Sequence, residues 1–120
     1  MSRVLRMDKN GGLVMSENVF LGNVIKAARL MGWHVAHFRP GMTRRGRWVT
    51  PVQGDGAGWP DVVLIHQKKR RLIVAELKTE TGKLTDKQQR WLELWRLIPC
   101  AEVFVLRPSM FDEFWEELKR

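Results

Sequence analysis

The chain has 120 residues and carries 21 Lys and Arg against 13 Asp and Glu, a formal excess of +8. That length gives room for one hydrophobic core and not two, and an apolar share of 44% excludes wholesale disorder. The lone cysteine, Cys100, excludes an intrachain disulfide and a thiolate zinc site, and the three histidines, His34, His37 and His66, form no convincing ligand cluster in sequence. No run of about 18 apolar residues reads as a membrane span, and the start of the chain lacks a signal peptide's apolar run, so the expected location is the cytoplasm. The positive excess favours a polyanionic partner but does not choose between DNA, RNA and an acidic membrane surface.

Residues 1–15 are basic, contain Gly11-Gly12, and read as a flexible arm ahead of a single domain over 16–120. Ser16 is placed to cap a helix running to about Met31, with Phe20, Val24, Ala28 and Met31 at helical spacing. Gly32 ends it, and Trp33–Phe38 reads as a short strand. Residues 39–58 hold five glycines, two prolines and four arginines, a long basic loop for so short a chain. Val62–Ile65 is an apolar strand entered through Trp59-Pro60-Asp61. After the polar connector 67–70, Leu72–Leu77 is a second strand, apolar on both faces as in a covered sheet. Thr85-x-x-Gln88 has capping-box spacing and opens a helix striped by Leu84, Gln88, Trp91, Trp95 and Ile98. Pro99-Cys100 breaks it before a strand at Val103–Leu106. Ser109-x-x-Asp112 then opens a short helix with Phe111, Phe114 or Trp115, and Leu118 facing inward. The order implies an α/β fold, a mixed sheet flanked by helices.

Register brings two carboxylates together. If residues 67–70 form the hairpin loop, His66 faces Arg71 and Asp61 faces Glu76, with Cβ atoms roughly 5 Å apart. Strand alternation puts Lys78 on the same face as Glu76. Opposed carboxylates repel, and one tends to keep a proton unless a divalent cation joins them. Mg²⁺ prefers oxygen ligands and commonly binds through one or two carboxylates plus substrate phosphate. Such an ion lowers the pKa of a bound water and offsets charge growing on phosphoryl oxygens, and a lysine adds a point charge beside it. The same residues also fit a surface ion pair, Glu76 with Lys78, beside a turn aspartate.

At Gly58-x-Pro60-Asp61 followed by Glu76-x-Lys78, the chain resembles the VRR-NUC family of the PD-(D/E)XK nuclease superfamily. The likeness takes in Gly82-Lys83-Leu84-Thr85, Gln88 and the Val-rich strand after them, and runs from about Ser16 to Leu118. It implies a restriction-endonuclease-like core and metal-dependent cleavage of DNA with Mg²⁺, for which Mn²⁺ substitutes. Asp61 and Glu76 would bind metal, the Leu77 carbonyl would join them, and Lys78 would be the catalytic lysine. Glu17 matches an acidic position on the first helix, as ligand or helper. Its other reading is a helix-start charge favoured by the local dipole. Gln88 matches a position that contacts the attacking water, a metal-bound water or the phosphate, and its other reading is the capping box.

Around this site, Arg44, Arg45 and Arg47 read as a clamp on the DNA backbone or as a solvated charge run. Lys83, Lys87 and Arg90 continue the positive surface, and His37 is a further candidate contact or an incidental strand-end residue. Trp91, Trp95 and Trp115 fit helix core faces and Trp33 a core strand, while Trp48 and Trp59 are the stacking or loop-packing candidates. The family's compact bacterial and phage members resemble Holliday-junction resolvases of DNA repair and recombination. The resemblance therefore implies a homodimer acting on four-way junctions in a bacterial or phage-infected cytoplasm. Flap or nonspecific cleavage, and a noncatalytic nucleic-acid-binding subunit, are the competing readings.

Overall fold

A computed structural model describes residues 5–7, 13–38, 41–42, 48–49 and 52–120. Within the stretch read as an arm, Leu5–Met7 (β1) pairs antiparallel with Leu13–Met15 (β2). The Ser16 hydroxyl accepts the Val19 N–H at 3.2 Å and starts α1, Glu17–Leu30, as the spacing predicts. His34–His37 forms β3, and Gly41–Met42 (β4) pairs with Trp48–Val49 (β5) inside the segment read as loop. Val62–His66 (β6) and Arg71–Leu77 (β7) form the central hairpin. Asp86–Arg96 (α2) then leads to Ala101–Leu106 (β8) and, after a 3-10 turn at Pro108–Met110, to α3, Phe111–Lys119. No helix among the described residues is long and apolar enough to cross a membrane.

The main sheet has the order β3-β6-β7-β8, antiparallel except for the parallel β7-β8 pair. A parallel neighbour needs a crossover, and α2 provides it. The fold is therefore α/β, with a mixed sheet and flanking helices. Side-chain alternation separates the two faces. Leu64, Ile73, Ala75, Leu77 and Leu106 join Phe20, Val24 and Ala28 of α1 and Phe114 and Leu118 of α3 in one buried cluster. Leu77 has no exposed surface there. Leu77→Ala should lower stability by roughly 2–5 kcal/mol, the usual cost of truncating a buried leucine. Thermal unfolding unchanged from the wild type would contradict that packing.

At the start of β7, Arg71 donates through Nε and Nη2 to Glu102 on β8, at 2.9 and 2.7 Å, with its guanidinium carbon 5.0 Å from the centre of the Trp33 ring. This charge-assisted pair holds the Glu102 carboxyl below its ordinary range. His66 is buried and structural: its Nδ1 accepts the Lys69 N–H, leaving Nε2–H to donate to Met31 O.

Two expectations need correction. Leu92, not the tryptophan stripe, is the buried residue of α2, because the helix lies against the β8 edge of the sheet. Trp91 and Trp95 are half-buried and pack on Trp59, with ring centroids 4.9 and 5.6 Å away, and Ile98 lies beyond the helix end. Ser109 does not cap α3. Met110 occupies the N-cap without a side-chain bond, and Ser109 donates instead through N–H and Oγ–H to Glu80.

Candidate active site

The observed register is the one expected from a loop at 67–70: Val62 lies opposite Ala75 and His66 opposite Arg71. Asp61 and Glu76 are the next residues outward on the two strands. Each is held by a different part of the backbone. Pro60 is fully buried, and the Phe38 N–H donates to Asp61 O at 2.7 Å, fixing the entry to β6 beside β3. The Asp61 carboxylate turns toward β7, where Oδ2 accepts the Leu77 N–H at 2.8 Å. Parallel pairing carries β7 outward, and the Lys78 N–H still donates to Leu106 O at 2.9 Å.

Glu76 is only 2% exposed. Its Oε1 accepts from Gln88 Nε2 at 3.1 Å, while its buried Oε2 has no hydrogen-bond partner among the described residues. Burial, and then the charge of Asp61, push the Glu76 carboxyl up to about 9; Lys78 opposes the shift, and Glu17 adds to it. The Gln88 amide serves two elements at once. Its Oε1 accepts the Thr85 N–H at 2.9 Å, closing a capping box in which Thr85 Oγ1 accepts the Gln88 N–H at 3.1 Å. That cap leaves Nε2 to face Glu76, so the helix start and the carboxylate are joined through one side chain.

The segment before Asp61 is docked on the same helix. Trp91 Nε1 donates to Asp55 O at 3.0 Å, and Trp59 packs edge-on against Phe38, Trp91 and Trp95. Of its two expected roles, Trp59 shows the loop-packing one. Gly58 has φ +86°, and a Cβ there would come within 2.5 Å of the Lys87 carbonyl carbon. The backbone of the Gly58-x-Pro60-Asp61 step thus rests directly on the first turn of α2.

Asp61, Glu76, Lys78 and Gln88 are therefore assembled where β6, β7 and α2 meet. Glu17 is half-buried at the start of α1, and its charge reaches Glu76. Even so, among the described residues no group of three or more His, Cys, Asp or Glu side chains is placed to hold a metal ion. Lys83, Lys87 and Arg90 are exposed, and the last two line a surface groove of about 490 Å³ with Asp55 and Trp91. His37 is exposed at the end of β3, opposite Val62. Arg44, Arg45 and Arg47 lie outside the described residues, as does the side chain of Trp48. Arg107 went unread in the sequence, where one arginine after a strand looks like any solvated charge. Its Nη1 donates to the carbonyls of Thr79, Glu80 and Gly82, just beyond Lys78.

Two adjoining carboxylates thus stand at the ends of the central strands β6 and β7 of an α/β domain, with a lysine two residues beyond the second. The VRR-NUC domain family model matches residues 40–104, more than half of the chain, and the chain belongs to that family. Membership implies nuclease activity, metal dependence and interaction with nucleic acid. Asp61, Glu76, Lys78 and Gln88 fall within the matched span, whereas Glu17 and Arg107 fall outside it. Comparison with characterised proteins and with solved structures finds no match.

Proposed function

We propose that this chain is a Mg²⁺-dependent endonuclease, with a restriction-endonuclease-like core over residues 16–120 and a basic arm before it, that hydrolyses DNA phosphodiester bonds. The observation that carries the proposal is Glu76: a buried carboxyl beside Asp61, pushed up to about 9, with Oε1 held by Gln88 and Oε2 without a geometric hydrogen bond among the described residues. A carboxyl in that setting keeps its proton, and a bound divalent cation would let it ionise there. The donor set fits a hard divalent ion, with Asp61 and Glu76 as ligands, the Leu77 carbonyl available beside them and Glu17 nearby. Such an ion, when bound, lowers the pKa of a coordinated water and offsets charge on the phosphoryl oxygens.

The rest of the work belongs to the chain. Gln88 fixes the rotamer of Glu76, and the Leu77 N–H fixes that of Asp61. Lys78 places a positive charge on the same face, suited to the scissile phosphate or to the attacking water. Lys83, Lys87, Arg90 and His37, with Arg44, Arg45 and Arg47, supply contacts to the DNA backbone, which position the duplex without reading its sequence. The favoured substrate is branched DNA such as a four-way junction, cut by a homodimer whose two centres address paired strands during repair or recombination in a bacterial or phage-infected cytoplasm. The lack of a three-side-chain ligand cluster among the described residues favours one alternative, a nucleic-acid-binding subunit that does not cleave.

Cleavage of an end-labelled four-way junction and of matched duplex with Mg²⁺ separates these readings. Lys78→Ala should lower the rate by roughly 10²–10³, with folding unchanged. Symmetric junction cuts lost in that variant support the resolvase reading, and equal cutting of both substrates leaves a flap or general nuclease. DNA binding without cutting by folded wild type, in Mg²⁺ or Mn²⁺, supports the noncatalytic alternative.

A further inference from the structure

Lys78 stands where the sheet lets go of the chain. Its N–H is the last of the strand to reach β8, donating to Leu106 O at 2.9 Å, and the chain then turns through Thr79–Gly82. The Gly82 N–H closes that turn on Thr79, on its carbonyl at 3.3 Å and on Oγ1 at 3.0 Å. Three carbonyls of the turn converge on one atom: Arg107 Nη1 lies 2.5 Å from Thr79 O, 3.3 Å from Glu80 O and 2.7 Å from Gly82 O. Convergent carbonyls concentrate negative partial charge, and a guanidinium is a donor suited to it. The side chain of Glu80 ties the same turn to Ser109. The turn also borders the Lys78 side chain, since a Cβ on Gly82 would lie 3.6 Å from Lys78 Cδ.

We propose that Arg107 is a positioning residue for Lys78: by holding the carbonyls of Thr79, Glu80 and Gly82, it fixes the turn against which the lysine stem rests. Leu106 and Arg107 are adjacent, so one strand end anchors both the backbone of Lys78 and the turn beyond it. The proposal rests on the catalytic role proposed for Lys78, and it places a determinant of activity beyond residues 40–104, the span matched by the family. Arg107 does not have to touch DNA for this.

The test uses the full chain with Arg107→Met, which keeps length and loses the donors, and Arg107→Lys, whose ammonium retains three donors. Two readouts are taken. In metal-free protein, amide exchange at Gly82 should quicken in Arg107→Met and stay near wild type in Arg107→Lys. In cleavage of whichever DNA the wild type cuts, Arg107→Met should lose about tenfold to a hundredfold in kcat, as for a misplaced catalytic group. KM should be unchanged, and Arg107→Lys should recover most of the rate. Unchanged exchange at Gly82, or faster exchange with unchanged kcat, overturns the proposal. A rise in KM alone also overturns it, making Arg107 a DNA contact. If the wild type does not cleave, the nuclease reading falls and the catalytic half of this inference falls with it, while the exchange rates still decide whether Arg107 holds the turn.

Discussion

Glu76→Gln should yield a metal-free protein that is more stable than the wild type at pH 8 and yet does not cleave DNA. The two effects have one origin. Burial and the neighbouring Asp61 raise the Glu76 carboxyl from 4.5 to about 9 in the folded chain. Between those values the folded state holds a proton that the unfolded state has released. By linkage, the slope of stability against pH follows the protons bound in the unfolded state minus those bound in the folded state, and here it is negative. The stabilising contribution of the protonated group is complete below pH 4.5 and is lost as pH rises to about 9. A neutral amide does not titrate, keeps an acceptor for Gln88 and sits uncharged beside Asp61 without taking up a proton. The variant should therefore unfold a few degrees higher at pH 8, roughly 3–6 °C for each kcal/mol, and show less dependence on pH between 5 and 9.

On the proposed reading, adding Mg²⁺ should reverse the comparison. A cation bound only by the folded form raises the unfolding temperature of the wild type and displaces the Glu76 proton, whereas Glu76→Gln should gain little. Differential scanning fluorimetry across pH, with and without Mg²⁺, measures both parts. Wild-type stability flat from pH 5 to 9, together with a variant that is no more stable, would show that Glu76 is not the strained carboxyl its burial implies.

That carboxyl pair was legible because each step was local. A polar four-residue connector sets the hairpin register, the register opposes Asp61 with Glu76, and alternation puts Lys78 on the face of Glu76. Gln88 reads in sequence as a cap or as a contact to water or phosphate; the cap is observed, and the other amide atom donates to Glu76. What joins these residues to their surroundings was not legible. Tryptophans at helical spacing look like core wherever the helix has only one buried face. Here α2 sits toward one edge of the sheet, buries Leu92, and offers Trp91 and Trp95 to Trp59. That partner is more than 30 residues away in sequence, and no periodicity marks it. Arg107 is similar: its three acceptors are backbone carbonyls, which exist in any sequence. The Ser109 cap failed because the 3-10 turn at Pro108–Met110 already contains Ser109, which leaves Met110 at the cap position.

Gly58→Ala should damage both stability and activity. The position has φ +86°, in the left-handed region where a β-carbon costs about 1–2 kcal/mol. The added methyl would also stand 2.5 Å from Lys87 C, 2.7 Å from Lys87 O and 2.8 Å from Gln88 N, all backbone atoms of a helix that no rotamer change can move aside. Strain and overpacking together should lower stability by roughly 2–5 kcal/mol. Activity should fall further than stability alone explains, because the atoms pushed away include Gln88, which holds Glu76, and the step that carries Asp61. Gly54 supplies the control. It also has a left-handed φ, +67°, but a β-carbon there meets nothing within 4 Å. Gly54→Ala should therefore show the backbone cost of about 1–2 kcal/mol and near-normal cleavage by the folded fraction. Unfolding temperatures of the two variants, with cleavage rates measured below both transitions, separate strain from displacement. If Gly54→Ala and Gly58→Ala lose stability and activity equally, then close contact with α2 does not set the site, and the glycine is required only for its φ.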